Sequence, residues 1–212
     1  MAIYSRYFFR IGIILGLFAL SNILITSVPI IFAEEMVVTE VKLDETGKNT
    51  IAEVVLNDQI KIKEIKVSKE KGILSVKFPE YVSGRGRVYP QVEILNKELS
   101  DRITKAIETN RPSDKKLSEV KYEIARFSPL SGNSARKVNV DVKFNNAVVV
   151  ACGIIEGDNW KKIAWPSRKD EKRNIYINQV LVRKKLRKQI EKDIWTRYEE
   201  FKEEGGWEED EW

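Results

Sequence analysis

A chain of 212 residues with 42% apolar side chains is long enough for one ordinary domain or two small ones, and apolar enough to build a core, which excludes disorder throughout. It has no histidine and a single cysteine, Cys152, so zinc sites of the usual kind, Ser-His and Cys-His catalysis and an internal disulfide are excluded. The excess of 37 Lys and Arg over 32 Asp and Glu is unevenly spread: residues 34–202 hold 35 bases against 26 acids, a net +9, while residues 203–212 hold six acids and no base.

Taken in order, the chain opens on a segment unlike the rest. Arg6 and Arg10 precede an apolar run over residues 11–32, interrupted by Ser21, Asn22, Thr26, Ser27 and Pro29, and Ala33 is followed at once by Glu34 and Glu35. Basic, apolar, helix-broken, small, then polar is the order of a signal peptide, and the run is also long enough to span a bilayer. Residues 1–33 are therefore expected to be a cleaved signal or a retained N-terminal anchor. In either case residues 34 onward are exported, to the periplasm, the exterior or the outer face of the inner membrane. A retained anchor would associate with the membrane through residues 11–32. Cytoplasmic residence follows only if the segment is not a working signal.

From Val37 the apolar period is mostly two. Val37, Thr39, Val41 and Leu43 alternate with polar residues; residues 50–56 and 60–67 flank Asn57 and Asp58 as a hairpin. In the third run Ile60 and Ile62 are out of phase with Ile65 and Val67, which predicts a bulge or a strand buried in part on both faces. Leu74, Val76 and Phe78 make a fourth run ending at Pro79. A fifth, residues 88–94, follows the loop Ser83, Gly84, Arg85, Gly86, Arg87. Asn96 then caps a helix whose Leu99, Ile103, Ala106 and Ile107 share one face, and which ends at Asn110, Arg111 and Pro112.

After a polar linker the same order returns. Strands are expected at residues 120–127, 138–144, 148–155, 160–165 and 175–180, followed by a longer helix over residues 181–202 with Leu186, Ile190, Ile194, Tyr198 and Phe201 on one face. Five strands and a helix, twice, reads as an internal duplication with a period of about 85 residues. The expected fold class is α+β: two tandem copies of a small antiparallel-rich sheet, each followed by a C-terminal helix. One such sheet with one helix is marginal alone, so the copies are expected to pair as an intrachain pseudo-dimer. Further oligomerisation is left open. The domains are residues 36–109 and 118–202, the linker residues 110–117 and an acidic tail residues 203–212.

Two motifs carry a family resemblance. Val38-Thr39-Glu40-Val41-Lys42-Leu43 opens the first copy, and Ile163-Ala164-Trp165-Pro166-Ser167-Arg168-Lys169 closes the fourth strand of the second. Both resemble the stage V sporulation protein G (SpoVG) septation-regulator family, whose pattern is a Val-Thr-Asp-Val-Arg-Leu-like first strand, further strands, a Met-Pro-Ser-basic segment, a charged loop, an Ile-containing strand and a helix with a basic opening. The resemblance implies a small sheet with a C-terminal helix, dimerisation, and DNA and RNA binding in septation, sporulation or gene regulation; the sequence itself, with no nucleophile, metal cluster or acid/base pair in view, leads to the expectation of no enzymatic activity and no cofactor. By it, Pro166, Ser167, Arg168 and Lys169 fall on the basic segment, and Arg187 and Lys188 on the helix opening. The first copy departs from the pattern: Pro79 is kept, but Glu80 and Tyr81 follow it, and its helix holds only Arg102 and Lys105. Duplication and an export segment depart from it too.

The residues themselves admit the same reading beside that of a solvated helix face, in which Glu191, Asp193, Glu199 and Glu200 pair with neighbouring bases one turn away. Arg183, Lys184, Lys185, Arg187 and Lys188 form a run without an acid, suited to phosphate neutralisation with counterion release. With Arg168, Lys169 and the loop arginines Arg85 and Arg87 they make up the candidate nucleic-acid-binding set. Trp160 and Trp165, five apart in a strand, point to opposite faces; core or interface packing is expected for both, with a stacking platform as the alternative for one of them. Cys152, in an apolar run, is expected to be a buried thiol. The acidic tail could fold back on the basic helix as a polyanion mimic, or simply be solvated. The other reading of the whole is an exported scaffold of the envelope or septum, its bases meeting anionic lipid or wall polymer.

Overall fold

Asn57 and Asp58 both lie at positive φ, as do Asn145 and Asn146, and each pair closes a tight hairpin of the kind that demands such residues. These two turns organise the computed structural model, which describes residues 35–45, 50–113 and 119–206. The expected leader, the last six residues of the acidic tail and the core of the linker lie outside the described residues.

The fold is α+β, and every strand pairing among the described residues is antiparallel. In the first half β1 (Val38–Asp44), β2 (Thr50–Leu56), β3 (Ile60–Glu70) and β4 (Ile73–Lys77) pair in succession. A small hairpin follows, β5 (Glu80–Val82) with β6 (Val88–Pro90), then β7 (Val92–Ile94) and helix α1 (Lys97–Thr109). The second half repeats the order with β8 (Tyr122–Pro129), β9 (Arg136–Phe144), β10 (Val148–Gly157), β11 (Trp160–Ala164), the hairpin β12 (Ser167–Asp170) with β13 (Ile175–Asn178), β14 (Val180–Val182) and helix α2 (Lys184–Glu203).

Each half gives one strand to the other's sheet. β14 pairs with β3, Val180 opposite Ile62 and Val182 opposite Ile60, while β7 pairs with β10, Val92 opposite Val150 and Ile94 opposite Val148. This splits the fifth run expected at residues 88–94 into β6 and β7, and its counterpart into β13 and β14. The helix expected from Leu181 accordingly starts only at Lys184, because Val180–Val182 are held in the ladder. Gln91 and Gln179 are the pivots. Their N–H groups bond the carbonyls of Pro79 and Pro166, and their own carbonyls accept from Ala151 and Lys63.

The change of phase in the third run is a bulge: the β2–β3 register shifts between Ala52 and Val54, and Glu64 sits at φ +57. Ile60, Ile62, Ile65 and Val67 are thereby all buried. α1 buries Leu99, Ile103, Ala106 and Ile107, and α2 buries Ile190, Ile194 and Tyr198 with Leu186 and Phe201 half-buried beside them. The apolar faces of both halves join in one continuous core.

Two buried asparagines pin the strands that open each half. The Asn57 side-chain oxygen accepts from the Val37 N–H at 2.7 Å, and the Asn57 N–H donates to the Val37 carbonyl at 3.0 Å; Asn145 does the same to Lys121 at 2.6 and 3.0 Å. Losing the side-chain acceptor strands a buried donor, and alanine would also strain the positive φ. Asn57→Ala is expected to cost about 2–3 kcal/mol in urea denaturation, and Asn57→Gly, which relieves the backbone but not the donor, about 1–2 kcal/mol. Equal values for the two variants would show that the positive φ adds no strain, and a glycine variant as stable as the parent would show that the side-chain bond contributes nothing.

Candidate nucleic-acid interface

The two helices open differently. Asn96 caps α1, accepting from the N–H groups of Glu98 and Leu99 at 2.8 and 3.2 Å, and Glu98 lies in the first turn, where a carboxylate complements the helix dipole. α2 has Arg183 at the capping position, no side-chain cap and no acid in its first turn. Cations at that end oppose the dipole, so this opening gains from an anion brought from outside.

Arg183, Lys184, Lys185 and Lys188 are exposed and have no ion-pair partner among the described residues. Arg183 is held at the seam between the halves, its N–H bonded to the Gln59 carbonyl at 2.8 Å. Arg187 is different. Its Nε donates to Glu191 at 2.7 Å, the Trp165 indole N–H donates to the same carboxylate oxygen at 2.8 Å, and the guanidinium lies 5.5 Å from the Trp165 ring centre. The strand exit at Trp165 and the helix opening therefore meet, through a carboxylate that offsets one of the charges.

Arg168 turns the other way. Its Nε donates at 2.6 Å to Glu64, on the bulge of β3, whose second oxygen accepts from Gln179 at 3.0 Å. Lys169 pairs with Glu171 at 3.0 Å. Arg168 stands on β12 opposite Ile177 of β13, whereas Arg183 follows the end of β14. Arg85 and Arg87 occupy the tip of the first hairpin, where Ser83 and Arg87 close the loop by two hydrogen bonds. The nine expected residues thus divide into an unpaired cluster on α2, three bases held by acids, and a separate tip. Glu64 was missed from the sequence because it neutralises Arg168 across the fold, whereas Glu191 lies one helical turn from Arg187, where sequence spacing does show it.

Of the two strand tryptophans, Trp165 is 7% exposed and Trp160 52%. Burial pushes the Cys152 thiol far up, so it is held neutral in the core. A groove of about 820 Å³ lies against the first sheet, lined by the bases Lys42, Lys63, Lys66, Lys77 and Arg168 and the acids Asp44, Glu53, Glu64 and Glu80. Glu53, Glu64 and Glu80 pair with bases of that lining, which leaves little net charge for a polyanion. Among the described residues no three His, Cys, Asp or Glu converge as for a metal, and no helix is long and apolar enough to cross a membrane. Compared with protein-family models, curated proteins and solved structures, the chain finds no match.

The basic helix is tied to the sheet beneath it by Tyr122, whose hydroxyl donates to Asp193 at 2.5 Å. Burial first, and then that carboxylate, push the phenol up from 10.0 to about 12. The folded state holds this proton more tightly than the unfolded chain, so the contribution is complete below pH about 10 and is lost as pH rises towards 12. Tyr122→Phe should flatten the fall of the urea midpoint over that window. A fall of unchanged steepness would remove Tyr122 from the alkaline response.

Proposed function

We propose that this chain is a non-enzymatic, exported protein of SpoVG-like design, two tandem copies packed as an intrachain pseudo-dimer, which binds DNA or RNA through the opening of α2. The observation that carries the reading is the acid-free first turn of α2, without a side-chain cap, with four exposed bases that have no ion-pair partner among the described residues, set against the capped and acidic opening of α1. The first copy then serves mainly as the structural half. The tandem reading is supported by the constant spacing of equivalent bonds. Asn57 and Asn145, Gln91 and Gln179, and the pairs Lys63 to Gln179 and Ala151 to Gln91 all repeat at 88 residues. The link to septation or sporulation rests on the sequence resemblance alone.

The second reading, an envelope or septum scaffold whose bases meet anionic lipid or wall polymer, is favoured by one observation, the basic and apolar leader of residues 1–33. Compartment separates the two, because an exported protein meets only nucleic acid released outside the cell.

A salt titration of binding by residues 34–212 to labelled DNA and RNA, read by anisotropy, tests the first reading. Lys184→Ala with Lys185→Ala should lower the slope of log K against log salt by about 2, whereas Arg187→Ala, already paired with Glu191, should lower it by less than 1. Absence of binding to any nucleic acid, with binding to anionic vesicles or wall polymer, would overturn it. The pseudo-dimer is tested separately by a protease site inserted within residues 114–118. After cleavage the halves should co-elute in gel filtration without denaturant, and their separation would refute the packing.

A further inference from the structure

Ten large apolar side chains are exposed among the described residues. Six of them, Tyr81, Val82, Val88, Tyr89, Ile175 and Tyr176, lie in the two small hairpins, β5–β6 and β12–β13, which pair with neither five-stranded sheet. Tyr81 and Tyr89 face each other in register, their rings 6.3 Å apart and inclined by 29°, with exposures of 55% and 46%. They form one continuous aromatic surface on a face of the hairpin, and strand alternation puts Val82 and Val88 on the other. The loop beyond them carries Arg85 between Gly84 and Gly86, which have open space around them, and then Arg87. In the second hairpin Tyr176, 70% exposed, stands opposite Lys169. The fourth exposed ring, Trp160, has the Lys162 ammonium 5.4 Å from its centre.

Among the described residues, Trp160 and Tyr176 thus each have a lysine as neighbour, the tyrosine pair lies below a loop with two arginines, and the four rings are 46–70% exposed. A duplex offers such rings nothing, because its bases are stacked on one another and only phosphates and groove edges face outward. An unpaired base offers a free π-face next to a phosphate. We infer that the two hairpins are stacking arms and that the protein selects single-stranded over double-stranded nucleic acid, the rings holding bases while the neighbouring bases of the protein hold the backbone. This rests on the nucleic-acid reading above. It divides the labour between α2, which sets the salt dependence, and the arms, which set strand preference.

The test compares an unstructured 20-nucleotide single strand with the matching duplex at one salt concentration, using residues 34–212, which comprise all of the described fold. Single strand is expected to bind at least 10-fold more tightly. Tyr81→Ala with Tyr89→Ala should weaken it roughly 5- to 100-fold, with duplex affinity and the salt slope unchanged. Tyr81→Phe with Tyr89→Phe, which keeps both rings, should bind within about twofold of the parent. Because these side chains are exposed, urea midpoints should match across the set. Binding with equal affinity for the two forms, or alanine variants that bind single strand as the parent does, would overturn the inference and leave the nucleic-acid reading standing. Binding to neither form would overturn both. Self-association lost in the alanine pair and kept in the phenylalanine pair, with single-strand affinity unaltered, would assign the arm to a second copy of the chain and equally overturn it.

Discussion

The reciprocal exchange of β7 and β14 is the constraint on which the rest depends. A three-residue strand contributes few hydrogen bonds, yet each closes the edge of a sheet that the other half builds. Without β14, Ile60 and Ile62 of β3 would keep only their β2 partners and leave one edge open; without β7, Val148 and Val150 of β10 would keep only those on β9. Because the strand is given away, the helix that follows starts at the boundary between halves. That is why Arg183 meets Gln59, and why the basic opening of α2 stands at the seam.

The two halves share a frame and differ in charge. Where α1 opens with a capping asparagine and an acid, α2 opens with arginine and lysines; where Arg102 on α1 pairs with Glu35 and Glu98, Lys184, Lys185 and Lys188 pair with nothing described. The difference does not follow from packing, since both helices bury an apolar stripe of the same kind. Several bases elsewhere are neutralised across the fold, as Arg168 is by Glu64 on the bulge. The cluster on α2 escapes this, and so stands out electrostatically more than its number of charges suggests.

Much of the frame was legible in the sequence. The period-two runs and the two asparagine-rich turns gave the strands of both sheets, the phase change around Glu64 gave the bulge, and the spacing of Leu99, Ile103 and Ile107 gave α1. The exchange was not legible, because periodicity reports which face of a strand is buried and not which partner buries it. Gln91 alone and Gln179 with Asn178 interrupt apolar runs only briefly, too weak a signal to reveal that the chain changes sheets there. In the short hairpins β6 and β13 fall within expected strands, but β5 and β12 were not expected, since Ser167–Asp170 is polar throughout and Glu80–Val82 follows Pro79. Tyr81, Tyr89 and Tyr176 passed unnoticed as binding candidates because exposure is a property of the folded chain alone.

The exchange also imposes an order in time. The first sheet has β1 to β4 as soon as residue 77 has emerged, but the edge of β3 at Ile60 and Ile62 stays open until Val180–Val182 is made, more than a hundred residues later. A sheet that waits for its last strand cannot close early, whatever its local preferences. The first half therefore leaves the ribosome without its final edge, and its core is completed only when nearly the whole chain is present.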